Sequence, residues 1–311
     1  MKRVTVSWFR PMGLNLRVET ENETLLRICA DLFGGFGPGD PQRAADLHFN
    51  LLVSQLGDIT AHPVFQFEDE WACAWAGNEQ VIRANLTTGA AQGCFPQELL
   101  SDEAVLRHHY LQFALAVLLT ARGFVGIHAA GLERNGRTVL VRGVRGSGKS
   151  VLACAAVERG WRILADSTVW IGPNGDWWGI PWWLRLRRSA ASLFPKLAFD
   201  SAAFVAEEDD GEAKLEISVD QIRLGSGVTH APAGIVLFLE QNLQGDSRLE
   251  TLAAEESFAL WPAGESGREA LAPAYRERIE NVLGEGAYRL CLGCNLDQVI
   301  DLLDRYLDHA Q

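Results

Sequence analysis

Apolar and polar positions along this 311-residue chain fall into strand-like and helix-like runs whose order changes near residue 100. Residues 4–8 and 14–19 read as strands, and 23–33 as a helix closed by Gly34-Gly35. Residues 47–53 read as another strand, and 64–83 as two runs broken by the turn dipeptide Gly77-Asn78. A helix then opens near Ser101, with Asp102 and Glu103 in its first turn, and runs to about residue 120. It becomes nearly all apolar, so it is expected between layers. From Gly123 the order becomes strand, loop, helix, strand. Residues 234–239 read as an aliphatic strand and 267–283 as a helix. The last helix starts at a capping box, Asn295 with Gln298, and its apolar residues at 296, 299, 300, 303 and 307 share one face. The expected organisation is a small α/β module over 1–100, without a catalytic pattern, and a larger α/β domain over 101–311.

The chemistry begins at residues 143–150, Gly-Val-Arg-Gly-Ser-Gly-Lys-Ser. They fill every position of G-x-x-x-x-G-K-[ST], with an extra glycine at 146. Glycines let the backbone fold so that successive N–H groups face phosphate oxygens, and the following helix adds its positive end. The lysine of such a loop reaches the outer phosphates, and its serine hydroxyl ligates Mg²⁺. The context agrees: the strand-like run 138–141 precedes the loop and a helix-forming run, 151–159, follows it before Gly160. A nucleoside triphosphate site is therefore expected, taking ATP or another nucleoside triphosphate with Mg²⁺. Its contacts would be Gly143, Arg145, Gly146, Ser147, Gly148, Lys149, Ser150 and Val151.

Further features surround the loop. Residues 124–133 and 137–142 are joined by Asn135-Gly136, a strong hairpin signal. If Arg134 faces Arg137, counting back places His128 opposite Gly143 and brings an imidazole to the site. The strand 161–166 should run parallel to the one feeding the loop, so Asp166 falls on the ligand-binding edge of the sheet. A carboxylate there can hold Mg²⁺ or take a proton from an attacking hydroxyl. Six of the ten tryptophans lie between 161 and 183, and they suit a binding platform, a core or a subunit interface equally. Arg185, Arg187 and Arg188 follow, then an acidic stretch at 207–210 and Lys214; Arg185 and Lys214 are candidates to contact substrate or phosphate.

Composition removes other classes. A net charge of −12 argues against a nucleic-acid partner. No segment reads as a signal peptide or membrane span, so a cytoplasmic protein is expected. Cys291-x-x-Cys294 lacks a second Cys/His pair at zinc spacing and reads as an ordinary buried strand end. His108 and His109 are helix neighbours that point apart, which suits boundary positions and not a shared metal.

The runs 126–130 (Gly-Ile-His-Ala-Ala), 143–150 and 160–166 (Gly-Trp-Arg-Ile-Leu-Ala-Asp) resemble the kinase domain of HPr kinase/phosphorylase. They are more similar still to its smaller relatives, which include kinases of lasso-peptide biosynthesis. The resemblance implies a phosphoenolpyruvate-carboxykinase type of fold with a P-loop on a mixed sheet. It also implies phosphoryl transfer to a serine (or threonine) of a peptide or small protein, a lasso-peptide precursor among the acceptors. His128 would be the active-site histidine and Asp166 the general base, with Lys149 and Ser150 contacting phosphate and Mg²⁺. The parent family forms hexamers, which implies a homo-oligomer. Ser167 stands where the family has a second acid, and Trp178-Gly179-Ile180-Pro181 replaces its glycine- and asparagine-rich signature. These departures count against phosphorylase activity. They leave two alternatives open: a nucleotide-binding partner protein without catalysis, and a small-metabolite kinase with the tryptophans lining its pocket.

Overall fold

The computed structural model describes residues 4–54, 63–77, 79–197, 203–205, 214–241, 245–261, 275–293 and 295–309. Asn78, 207–210, Cys294 and the first part of 267–283, all singled out above, lie outside the described residues. The chain is a mixed α/β protein with two compact units, Met1–Arg122 and Gly123–Gln311. The division falls after the apolar helix expected to open the second domain, so that helix belongs with the first unit and the boundary is 122/123 instead of 100/101.

The first unit carries β1 (Thr5–Phe9), β2 (Leu16–Thr20), α1 (Glu23–Phe33), β3 (Leu47–Ser54), β4 (Val64–Glu68), β5 (Trp71–Ala76), β6 (Glu79–Asn85) and β7 (Ala90–Pro96). They make a seven-stranded sheet in the order β1-β2-β3-β7-β6-β5-β4. The pairs β2/β3 and β3/β7 are parallel, and α1 supplies the crossover that the first of these needs. Asn22 Oδ1 caps α1 by accepting the Leu25 N–H at 3.0 Å. Leu25, Ile28, Cys29 and Leu32 then form one buried face. Complete burial pushes the Cys29 thiol up to about 12. The second helical segment starts at a cap from Asp102 and comprises α2 (Glu103–Val105), a π-helical stretch (Leu106–Leu111) and α3 (Gln112–Ala121). His108 and His109 sit half-buried on the π-helical stretch. No helix among the described residues is long and apolar enough to cross a membrane.

The second unit runs β8 (Val125–His128), β9 (Ala130–Arg134), β10 (Arg137–Arg142), α4 (Lys149–Glu158), β11 (Arg162–Ala165), β12 (Thr168–Ile171), β13 (Trp177–Trp178) and β14 (Trp183–Arg187). It continues with β15 (Ala203–Val205), β16 (Lys214–Ser218), α5 (Val219–Ile222), β17 (His230–Ala231), β18 (Ile235–Gln241), β19 (Arg248–Thr251), α6 (Ala254–Leu260), α7 (Tyr275–Gly284), β20 (Ala287–Leu292) and α8 (Leu296–His309). The described strands form a mixed six-stranded sheet, β11-β9-β10-β18-β20-β19, with smaller sheets β17-β13-β12-β8 and β14-β16-β15. Strands β10, β18 and β20 run parallel, and β11 shares their direction across the antiparallel β9. Alternation sorts the six-stranded sheet's side chains into two cores. Val139, Val141, Leu237 and Leu239 pack with α4 and α8, whereas Leu140, Val236 and Phe238 pack with α7 and Trp261. Burial on both faces explains why these strands read as continuous apolar runs. Asn295 caps α8 as expected, accepting the Gln298 N–H at 3.1 Å.

Of the clustered tryptophans, Trp161, Trp170 and Trp177 are buried core. Trp161 Nε1 donates to Asp304 Oδ1 on α8 at 3.0 Å. Cys291 is likewise a buried residue of β20.

The hairpin count requires a correction. Arg137 faces Arg134 and the register holds to Val141 opposite Ala130, with Asn135 and Gly136 both left-handed in the turn. There it stops, because the expected single strand 124–133 is broken at Ala129 into β8 and β9, which belong to different sheets. His128 pairs with Thr168, not with Gly143. The cause lies in the other partner. β9 and β8 stay paired with β11 and β12 as one bent ribbon, and the Ala129 N–H donates to Ser167 O at 3.2 Å at the bend. A bulge in β11 between Ile163 and Ala165 shifts the ribbon by one residue just before Asp166.

Candidate functional site

The glycine-rich loop joins the end of β10 to α4, and its backbone is built for close approach. Gly146 and Gly148 have φ of 80° and 101°, values that side-chain-bearing residues avoid. A Cβ on Gly143 would lie 2.6 Å from Ser147 Oγ and 3.0 Å from the Leu239 carbonyl oxygen, so this position admits only glycine. No side chain caps α4 at Gly148, which leaves its positive end available to an anion. Ser147 is buried, and its Oγ has no hydrogen-bond partner. Lys149 is buried too, with Nζ donating to Gly143 O at 2.7 Å and to Val144 O at 3.2 Å. Gln241, at the end of β18, donates from Nε2 to Gly146 O at 2.9 Å. Arg145 is exposed at the loop tip, and Ser150 and Val151 lie half-buried in the first turn of α4. An orphaned hydroxyl, a cradle too tight for a Cβ and an uncapped helix start fit a phosphate group.

Asp166 stands where the ribbon leaves β11, fully enclosed. Its Oδ2 accepts the backbone N–H of Arg185 at 2.9 Å, while Oδ1 is buried without a hydrogen-bond partner. Burial raises its proton affinity above the ordinary carboxylate range. The Arg185 N–H and charge, the Ser150 hydroxyl and the Lys214 charge oppose that rise without cancelling it. The structure thus brings Asp166 to Ser150 of the loop's helix and to Arg185, with the Lys214 charge within electrostatic reach. Among the described residues no group of three or more His, Cys, Asp or Glu side chains converges as a metal site. Ser150 and Asp166 offer two oxygens, in keeping with Mg²⁺, which binds through few protein ligands and keeps several waters.

Strand β14 supplies the basic side. Leu184 and Leu186 are buried in the apolar cluster, so Trp183, Arg185 and Arg187 occupy the opposite face. Register with β16 sets Glu216 opposite Arg185 and Lys214 opposite Arg187 on that same face. Arg185 Nη2 donates to Ser167 Oγ at 2.7 Å, so the residue in place of a second acid is held by a guanidinium.

His128 ends β8 half-buried, beside the ribbon bend. Its carbonyl accepts Arg142 Nη1 at 3.4 Å, and the Arg142 guanidinium lies 3.9 Å from the centre of the Trp261 ring. Sequence reasoning missed Arg142, which ends the strand feeding the loop, and Glu216 and Gln241, which come from strands remote in sequence. The alternation Trp-Leu-Arg-Leu-Arg at 183–187 did carry a signal, because it places Arg185 and Arg187 on one face.

No protein-family model and no curated protein sequence matches the chain. Among solved structures it is similar to the Hpr(Ser) kinase/phosphatase from Coxiella burnetii, with 13% identity and a TM-score of 0.30, over 58% of this chain and 95% of that one.

Proposed function

We propose that the second unit is an ATP- and Mg²⁺-dependent kinase that phosphorylates a serine (or threonine) hydroxyl of a peptide or small protein. One observation carries the reading: the buried, partnerless Oδ1 of Asp166 shares a site with Ser150, on the first turn of the helix behind the glycine-rich loop. A carboxyl group whose proton affinity burial has raised is suited to general-base work. In this reading the loop amides, the Ser147 hydroxyl and Lys149 hold the triphosphate, with Lys149 exchanging its loop carbonyls for phosphate oxygens. Ser150 and Asp166 would hold Mg²⁺, which would supply positive charge against the outer phosphates. The acceptor hydroxyl gives its proton to Asp166 Oδ1 as its oxygen bonds to the γ-phosphorus, and the bond to the bridging oxygen breaks to release ADP. Arg185 fixes Asp166 through its backbone N–H, and His128 borders the reacting groups from the ribbon bend. The acceptor class, lasso-peptide precursors included, rests on the sequence resemblance.

The test is calorimetric titration of the chain with Mg²⁺ and ATP, followed by γ-labelled ATP with serine-containing peptides against ATP alone. Saturable binding and label on peptide are expected. Binding without transfer or hydrolysis would favour a non-catalytic nucleotide-binding partner, the reading that Ser167 motivates. Absence of ATP binding would overturn both.

A further inference from the structure

The sequence suggested Arg185 and Lys214 as the cations facing phosphate, but the structure gives Arg185 other work. Its backbone N–H is committed to Asp166 Oδ2 at 2.9 Å, and its Nη2 to Ser167 Oγ at 2.7 Å. Two residues on, Arg187 shares the same strand face. The Arg187 Nη2 stands 3.8 Å from the point a Cβ on Gly146 would occupy, which puts a guanidinium directly beside the glycine-rich loop. Gly146 is exposed, left-handed and held at its carbonyl by Gln241, so the loop's outer wall is fixed where Arg187 meets it. Arginine presents several donors in a rigid planar fork that matches phosphate oxygens.

Building on the proposed function, we infer that Arg187 grips the outermost phosphate of the bound triphosphate and neutralises its charge during transfer, while Arg185 is a positioning residue for Asp166. The strand thus divides two tasks between two arginines of one face: the inner one aligns the base, and the outer one meets the leaving group's partner. A cation supplied from within the chain in this way stabilises the charge of a transferring phosphoryl group.

The experiment compares Mg·ATP and Mg·ADP affinities of the parent chain and Arg187→Met, which keeps most of the apolar stem. Hydrogen bonds to a charged group correspond to about ten- to a hundredfold in affinity. ATP binding should therefore weaken at least about tenfold, with ADP binding nearly unchanged. Arg187→Lys, which keeps charge but loses the fork, should recover part of the preference, and it provides the same comparison if the methionine variant does not fold. Parent-like ATP affinity in Arg187→Met, or equal weakening for ATP and ADP, would overturn the inference and leave the proposed function standing. Failure of the parent to bind ATP would instead overturn the proposed function.

Discussion

Asn15 in the first unit and Asp166 in the second are both buried polar residues, and they are satisfied in opposite ways. The Asn15 side chain is spent on its own surroundings: Nδ2 donates to Asp40 O and Ala44 O at 3.0 and 3.1 Å, and Oδ1 accepts the Asp40 N–H at 2.8 Å. It closes a loop, with both its amide nitrogen and its oxygen engaged there. Asp166 keeps an oxygen in reserve, and so does Ser147 nearby in the same unit's glycine-rich loop. The first unit also buries partnerless polar atoms, Trp75 Nε1 and Tyr110 Oη, but these belong to aromatic side chains and not to a loop shaped around an anion. Leaving buried acceptors unpaired costs about 1–3 kcal/mol each. The difference teaches that Asn15 is spent on packing, whereas Asp166 and Ser147 keep unsatisfied groups that a ligand would complete.

Substitutions in the two units should therefore separate stability from chemistry. The largest effect is expected from Lys149→Ala: ATP affinity and label transfer should both fall, transfer by at least about a hundredfold. The melting temperature of the variant should stay close to the parent's. Transfer at the parent's rate would break the contrast, since the loop would then have no part in the chemistry. Asn15→Ala is next and should do the reverse. Losing its buried bonds should cost about 2 kcal/mol, read by urea unfolding, with ATP affinity unchanged.

The third effect is subtler and concerns pH. Burial raises the Asp166 carboxyl above its unfolded value, so its neutral form suits the fold and its ionised form does not. Below the unfolded range, about 3.9, the carboxyl is neutral in both states and its contribution is fully present. As pH rises through the higher folded value, the parent loses that stability and Asp166→Asn does not. The melting temperature of the variant relative to the parent should thus climb with pH and then level. A difference that stays flat would mean Asp166 is not held in the strained state described.

Local signals read well where the sequence itself decides the outcome. The bounds of α1, the Asn135-Gly136 turn, the glycine-rich loop and the Asn295 cap are all set by residues within one or two turns of each other. The break at Ala129 was hidden because no proline or turn dipeptide marks it within residues 124–133. It is imposed by β11 and β12, whose bulge steers the ribbon away from β10. The same holds for Glu216 and Arg185, brought together only by the pairing of β14 with β16. The helix over 103–121 falls within the first compact unit, and a nearly all-apolar helix does not announce which sheet it covers. Tryptophan clustering was equally silent, and burial shows that Trp161, Trp170 and Trp177 serve the core.

The most direct test of the account is label transfer by Asp166→Asn, measured in the same samples as Mg·ATP affinity. An amide keeps the shape and an acceptor for the Arg185 N–H but cannot take the proton. The account predicts that Mg·ATP still binds, with an affinity loss far smaller than the loss of transfer, which falls by about a hundred- to ten-thousandfold. Transfer at the parent's rate, with ATP bound, would contradict it.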